Sequence, residues 1–334
     1  MSDHHPKISV AMCTYNGEQY LREQLATIET QTLLPCELVI CDDCSTDNTV
    51  DILERFGSQS SIPVRLYKNE HNLGVIRNFS KAIELCTGDY VALSDQDDFW
   101  EINRLEKTYK AISGEEEKLG RDVPLLAYSD LKVIDEEGKL ILPSLMRAHS
   151  IRHIEKKPTN RLLVQNFVTG STCLINRSLV ELSTPIPDKV MMHDWWLALI
   201  ASIMGKILFI PESLVQYRQH HANVIGAKGT LRHNIEKLVK AKGVKNANKT
   251  MVRLLMQAIE LRKWMGSHMN SRESIDDIDA YIHILQAGGL TAVLKIYILG
   301  TYRQGIVANL LMIYLLIKRK YVQLLQGDIT RQPL

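Results

Sequence analysis

The segment ALSDQDDFW, residues 92–100, closes an apolar run with Asp95, Asp97 and Asp98. Like charges a few ångströms apart repel and need a counter-charge. A surface turn meets that need with water and salt. A divalent cation meets it better and turns the cluster into a site of chemistry. A second acidic pair, Asp42–Asp43, ends the run CELVICDD. Two acidic clusters, each at the end of a strand-like run, are more informative than either alone.

The elements that must position these acids are read from hydrophobic period. KISVAMCT (7–14), CELVICDD (36–43), PVRLYKN (63–69) and GDYVALSD (88–95) are strand-like. Between them, residues 17–31, 45–56 and 74–86 carry apolar residues at helical spacing, with Ser45 or Thr46 expected to cap the second helix. Strand alternating with helix predicts an α/β fold with a Rossmann-like, mostly parallel sheet flanked by helices. In such sheets ligands bind beyond the carboxyl ends of the strands, where both acidic clusters fall. Further on, 125–135 and 170–178 are expected to be strands, and 194–205 a buried helix. KILFI and SLVQYRQH (206–220) are expected to be two strands split by Pro211, with helices from about 228 onward.

ISVAMCTYNGEQYL, ELVICDDCSTDNTVDIL, NEHNLGVIRNFSKAIELCTGDYVALSDQDDFW, HDWWLALIAS and YRQHHANVIG, in this order, resemble the bacterial family 2 glycosyltransferases. The similarity is strongest to those that build cell-surface polysaccharides, rhamnosyltransferases included, and spans roughly residues 7 to 226. The resemblance implies a GT-A fold with a C-terminal helical extension. Residues 1–100 would form the nucleotide-sugar-binding half, 101–226 the acceptor-binding half and 227–334 the helical region. It also implies an inverting, metal-dependent transfer of a sugar from a nucleoside diphosphate to a glycan or lipid-linked acceptor. Rhamnose is the favoured sugar and a uridine-diphosphate hexose the alternative.

By the same resemblance, Asp95 and Asp97 form the DxD motif. Asp97 would ligate Mn2+ or Mg2+, Asp95 would lie near ribose or metal, and Asp98 would assist or cap a helix starting near Phe99. Thr14, Tyr15, Asn16, Asp43, Arg77 and Gln96 correspond to nucleotide-sugar contacts. Cys44 stands where glycine is frequent, so a positive φ there would strain it. Asp194 matches the catalytic base that draws the proton from the acceptor hydroxyl. Trp195 and Trp196 would partly desolvate it or stack on a sugar. Arg218 and His220 would meet the diphosphate, with His220 also a candidate metal ligand, and His221 would point elsewhere. No QxxRW motif follows, which favours a single addition per encounter.

Bulk properties bound the rest. A chain of 334 residues with net charge +2 has no global attraction for nucleic acid. The N-terminal MSDHHPKISV carries no secretory apolar core, so the six cysteines are expected as free thiols in a cytoplasmic setting, with Cys41 and Cys44 used in packing. The first strand is not followed by G-x-G-x-x-G, which removes support for a dehydrogenase. The glycine- and arginine-rich loop of a nucleotidyltransferase is missing too, and a non-catalytic sugar-nucleotide binder would lack a use for Asp97 and Asp194. The C-terminal helices are basic (229–257) and broadly apolar (295–321). Peripheral contact with an anionic inner membrane, packing against the catalytic core and self-association are all open on this pattern.

Overall fold

The computed structural model describes residues 6–220, 241–269 and 272–322. His221 and most of the basic stretch before Ala241 lie outside the described residues. The chain forms two compact units, one of residues 1–149, 167–188 and 192–227, the other of residues 150–166, 189–191 and 228–334.

The first unit is built on one mixed sheet. Strands β1 (Ile8–Thr14), β2 (Glu37–Asp42), β3 (Val64–Lys68) and β4 (Tyr90–Ser94) run parallel in the order β3-β2-β1-β4; β1, β2 and β4 are buried and carry the apolar runs, and the edge strand β3, with Arg65 and Lys68, is half-buried. Helices α1 (Leu21–Glu29), α2 (Thr49–Gln59) and α3 (Val75–Leu85) make the crossovers. Beyond Phe99 the sheet mixes direction. Strand β5 (Phe99–Trp100) and helix α4 (Arg104–Leu119) come first. Strands β6 (Leu125–Ile134), β7 (Leu140–Leu142), β8 (Leu174–Asn176) and β9 (Lys206–Arg218) then extend the order as β4-β8-β6-β9-β5. Strand β8 is antiparallel to both neighbours, whereas β6 and β9 are parallel. Short helices α5 (Leu145–Ala148), α6 (Pro158–Leu162) and α7 (Arg177–Ser183) precede the buried helix α8 (His193–Met204).

Glu37 ties the parallel half together. Its carboxylate accepts from Ser9 Oγ at 2.6 Å, Thr87 N at 2.6 Å, Thr87 Oγ1 at 2.8 Å and Arg65 Nη1 at 2.9 Å. Burial raises this carboxyl, but the hydrogen bonds outweigh it and hold it at about 2.

Four local expectations are corrected. Helix α2 starts at Thr49, not beside Ser45, because Ser45 is taken by Asp42 while Asp47 Oδ1 accepts from Thr49 N at 3.0 Å. No helix begins at Phe99: Trp100 is wholly buried and pairs with Val215, so the chain returns to the sheet and Asp98 is buried instead of capping. Pro211 does not split β9. It falls at a bulge where Ile210 pairs Ser129 and Ser213 pairs Asp130, a place where a residue without an N–H costs no ladder bond. Residues 170–178 are mostly not strand: a 3-10 turn (Gly170–Thr172) leads into β8, and Asn176 Oδ1 then accepts from Leu179 N to start α7.

The second unit contains α9 (Ala241–His268), α10 (Arg272–Ala287), α11 (Gly289–Leu299) and α12 (Ile306–Lys318), each packed on the next in sequence. Tyr281 Oη donates to Leu163 O at 3.0 Å and Asn160 Nδ2 donates to Leu299 O at 2.7 Å, which fix α6 in this unit.

Candidate active site

Register brings the acidic clusters together. Thr14 pairs Asp42, and Met12 pairs Ser94, so β1, β2 and β4 end at one rim. Thr14 Oγ1 donates to Asp42 Oδ2 at 2.8 Å. Asp43 Oδ1 accepts from Leu73 N at 2.7 Å and Asn69 Nδ2 at 2.8 Å, and its Oδ2 accepts from Gly74 N at 2.9 Å. A carboxylate offers about four acceptor directions, so about one is left for a ligand. Cys44 has φ 68°, the left-handed conformation expected where glycine is usual. Asn16, at φ 48°, donates from its N to Ser45 Oγ at 2.9 Å and accepts at Oδ1 from Thr46 N at 2.8 Å. Gln96 clasps the neighbouring residue: Tyr15 N donates to its Oε1 at 2.8 Å and its Nε2 donates to Tyr15 O at 3.1 Å. The Tyr15 ring is left half exposed on the rim.

Below this loop lie the three aspartates. Asp97 Oδ2 is 2.7 Å from His220 Nε2, so two candidate metal ligands 123 residues apart meet. The His220 ring leans on Tyr20 at 5.0 Å. Burial, then the charges of Asp97 and Asp194, push the Asp95 carboxyl up to about 7. Asp98 is fully buried, and burial, then Asp95 and Asp97, raises it well above the usual range against the opposing pull of the Ser171 hydroxyl. Arg104 supplies positive charge beneath them. Its Nη2 donates to Leu93 O at 3.0 Å, Ser171 O at 2.7 Å and Cys173 O at 3.2 Å, and its guanidinium lies 3.5 Å from the centre of the Trp100 ring. Burial lowers its pKa to about 9.

Asp194 faces the same acids from the start of α8. Its Oδ2 accepts from Gly170 N at 2.9 Å and its Oδ1 from Trp195 N at 2.6 Å. A Cβ on Gly170 would stand 3.0 Å from His193 Nε2 and 3.3 Å from Asp194 Cβ, so only glycine allows this approach without displacement. His193 stacks on Phe79 at 3.9 Å, and burial lowers its imidazole to about 3. Trp195 is buried beside the carboxylate. Trp196 is not available to a sugar: it is wholly buried and its Nε1 donates to Ser183 O at 3.0 Å.

The two arginines expected at phosphate are placed differently. Arg218 is buried, with Nη2 donating to Glu23 Oε2 at 2.5 Å, Nη1 to Glu136 O at 2.8 Å and Nε to Asp97 O at 3.3 Å. It therefore braces the loop that carries Asp97. Arg77, on the first turn of α3, is exposed and makes a two-point pair with Asp188. Gly170, Arg104, His193 and Asp188 were not singled out by sequence. Only Arg104 carried a signal, a cation six residues after the last of the acids.

These side chains fit a divalent cation. Carboxylate oxygen and imidazole nitrogen are donors that Mn2+ accepts, and Mg2+ favours the oxygens, and crowded acids with raised pKa values gain from a positive ion. Among the described residues no three His, Cys, Asp or Glu side chains already surround one point. Asp97, Asp95 and His220 would hold such an ion together with diphosphate and water oxygens.

A family model described as Glycosyl transferase family 2 matches residues 9–180. An uncharacterised protein of Mycobacterium bovis is 29% identical over 217 residues, covering 64% of this chain and 59% of that protein. The chain thus spans about three fifths of the length of that relative. The dTDP-rhamnosyl transferase RfbG of Shigella flexneri is 26% identical over 239 residues, 68% of this chain and 78% of that protein. Among solved structures, the mannosyltransferase PcManGT of Pyrobaculum calidifontis, in complex with GDP-Man and Mn2+, aligns with a TM-score of 0.51 at 15% identity. That alignment covers 89% of this chain and 74% of the other, and it supports the GT-A fold.

Proposed function

The chain belongs to glycosyl transferase family 2, and from that premise we propose that it transfers a sugar, with inversion, from a nucleoside diphosphate to a hydroxyl of a glycan or lipid-linked acceptor in the cytoplasm. The observation that carries this reading is the meeting of Asp95, Asp97, His220 and Asp194 at the carboxyl ends of the strands. Rhamnose on a deoxythymidine diphosphate is the proposed donor, supported by the likeness to the Shigella rhamnosyl transferase.

In this reading Thr14, Tyr15, Asn16 and Asp43 line the nucleoside end, and Gln96 holds the Tyr15 loop against the acids. Bound Mn2+ or Mg2+ supplies Lewis-acid stabilisation of the charge that gathers on the departing diphosphate. Asp97, Asp95 and His220 would hold that ion at the diphosphate end of the donor, and His220 also orients Asp97. Asp194 takes the proton of the acceptor hydroxyl as its oxygen attacks the anomeric carbon. Two backbone N–H groups fix the carboxylate's direction, and the buried Trp195 keeps water from its flank.

The test is nucleoside diphosphate release from a panel of sugar nucleotides with Mn2+, followed by mass spectrometry with extracted glycolipid acceptors. The expected result is turnover of deoxythymidine-diphosphate rhamnose above all others, lost in Asp194→Asn. Absence of release from every sugar nucleotide, with intact fold, would overturn the reading.

A further inference from the structure

Half of the large apolar side chains exposed among the described residues sit on two short helices of the second unit. On α11 they are Leu290, Leu294, Tyr297 and Ile298, and on α12 Ile306, Leu310, Tyr314 and Ile317. The spacing is three or four residues, so each set forms a stripe on one face. Ile298 is 77% exposed and Ile306 79%, values foreign to a folded surface unless something covers it. The opposite faces are already used: Ala292, Ile296, Met312, Leu315 and Leu316 are buried. These stripes are therefore surplus to the unit's own packing.

Charge identifies the occupant. Between Asp279 and Asp328 the sequence holds no acid and five cations, Lys295, Arg303, Lys318, Arg319 and Lys320. Lys295 lies one turn before Ile298, and Lys318 to Lys320 follow Ile317 directly, all exposed. Asp277 is the acid beside Lys295 and Ile298, where Lys157 stands as a further cation, so the exposed cations outnumber the acid around these apolar faces and match a negatively charged, apolar-cored surface. A second copy of the same face is a poor match, because a two-fold contact sets each patch against itself and like charges against like.

Neither helix can span a bilayer: α12 has 13 residues, about 20 Å of helix against a core of about 30 Å. Among the described residues no helix is long and apolar enough to cross a membrane. Both helices are apolar on the outward face as well as on the buried one, and a helix with an uncovered apolar face, cations at its end and too little length to cross lies in the plane of the interface.

We propose that the outward faces of α11 and α12 form a membrane-docking surface that seats the full chain on an anionic bilayer. The surface shares no residue with the nucleotide-sugar site, so its test does not depend on donor identity.

The experiment is flotation of the full-length protein with vesicles of phosphatidylcholine alone or with 30 mol% phosphatidylglycerol, at low and at 0.5 M salt (roughly a threefold shorter Debye length than at 0.05 M). Expected is flotation with the anionic vesicles, weakened by salt. Lys318→Gln with Arg319→Gln and Lys320→Gln should lower vesicle affinity on the order of a hundredfold, at about fivefold per cation. Leu294→Glu with Ile298→Glu should abolish flotation while circular dichroism and nucleotide-sugar hydrolysis stay at wild-type levels. Wild-type protein that stays unbound with every vesicle would overturn the proposal. So would a wild-type dimer in analytical ultracentrifugation that the glutamate pair converts to monomer without any vesicle binding, since a second copy would then be the occupant. Flotation equal in wild type and in both variants would also overturn it, because another surface would be responsible.

Discussion

Replacing Asp194 by asparagine separates a catalytic carboxylate from a helix-starting one. In the structure its two oxygens each accept a backbone N–H, from Gly170 at 2.9 Å and from Trp195 at 2.6 Å. An asparagine keeps one acceptor and presents an NH2 to the other donor. One hydrogen bond to a charged group is lost, a cost of about 1.5–3 kcal/mol in stability. A structural role predicts that loss alone. A general base predicts in addition a fall in kcat of about 10²- to 10⁴-fold at saturating donor, because the amide cannot hold the acceptor's proton. Urea unfolding gives the first quantity and initial rates on the still-folded variant give the second. Stability lowered as stated with kcat within threefold of wild type would refute the assignment and leave Asp194 a cap.

Three other perturbations follow from the geometry. For Glu37, a carboxyl held at about 2 against an ordinary 4.5 stabilises the fold only while it is ionised. That contribution, on the order of 2 kcal/mol once solvent screening is allowed for, is complete above pH 5 and is lost as pH falls from about 4.5 through about 2. The stability gap between wild type and Glu37→Gln should narrow across that window in urea melts, and a gap that does not change with pH would mean that ionised Glu37 is not the source of the stability. Arg104→Leu removes three hydrogen bonds to carbonyl oxygens, of which Cys173 O keeps Leu93 N as a donor, and leaves the acids without a buried cation, so a loss of about 3–5 kcal/mol is expected in the same assay; less than 1 kcal/mol would contradict it. Gly170→Ala adds a Cβ 3.0 Å from His193 Nε2, so about 1–3 kcal/mol of stability and part of kcat should be lost together. Wild-type behaviour would mean that Asp194 approaches Gly170 less closely than the structure shows.

The order of strands and helices in the first hundred residues was legible because each buried strand is a continuous apolar run and each helix an apolar stripe. The rim position of both acidic clusters followed from it. What was not legible depended on partners distant in sequence. Asp97 and Asp98 are neighbours of one type, yet one faces His220 and the other is sealed under the sheet, and the cause is Trp100 turning back to pair with Val215. Arg104 was not singled out, because its acceptors are backbone carbonyls, two of them 67 and 69 residues away. Pro211 suggested a break, but a bulge opposite Asp130 absorbs it. Arg218 was expected at phosphate, and the acid that claims it, Glu23, belongs to α1. Composition and period report which residues are buried and on which element; they do not report which partner a buried polar group finds.

The central claim, that the rim acids serve a divalent ion that binds together with a nucleoside diphosphate, is tested most directly by Mn2+ titration followed by electron paramagnetic resonance of the free ion. Expected are weak binding to the wild-type chain alone, binding at least tenfold tighter with deoxythymidine or uridine diphosphate present, and loss of both in Asp97→Ala. Mn2+ binding that is absent with and without nucleotide, or unchanged in Asp97→Ala, would contradict it.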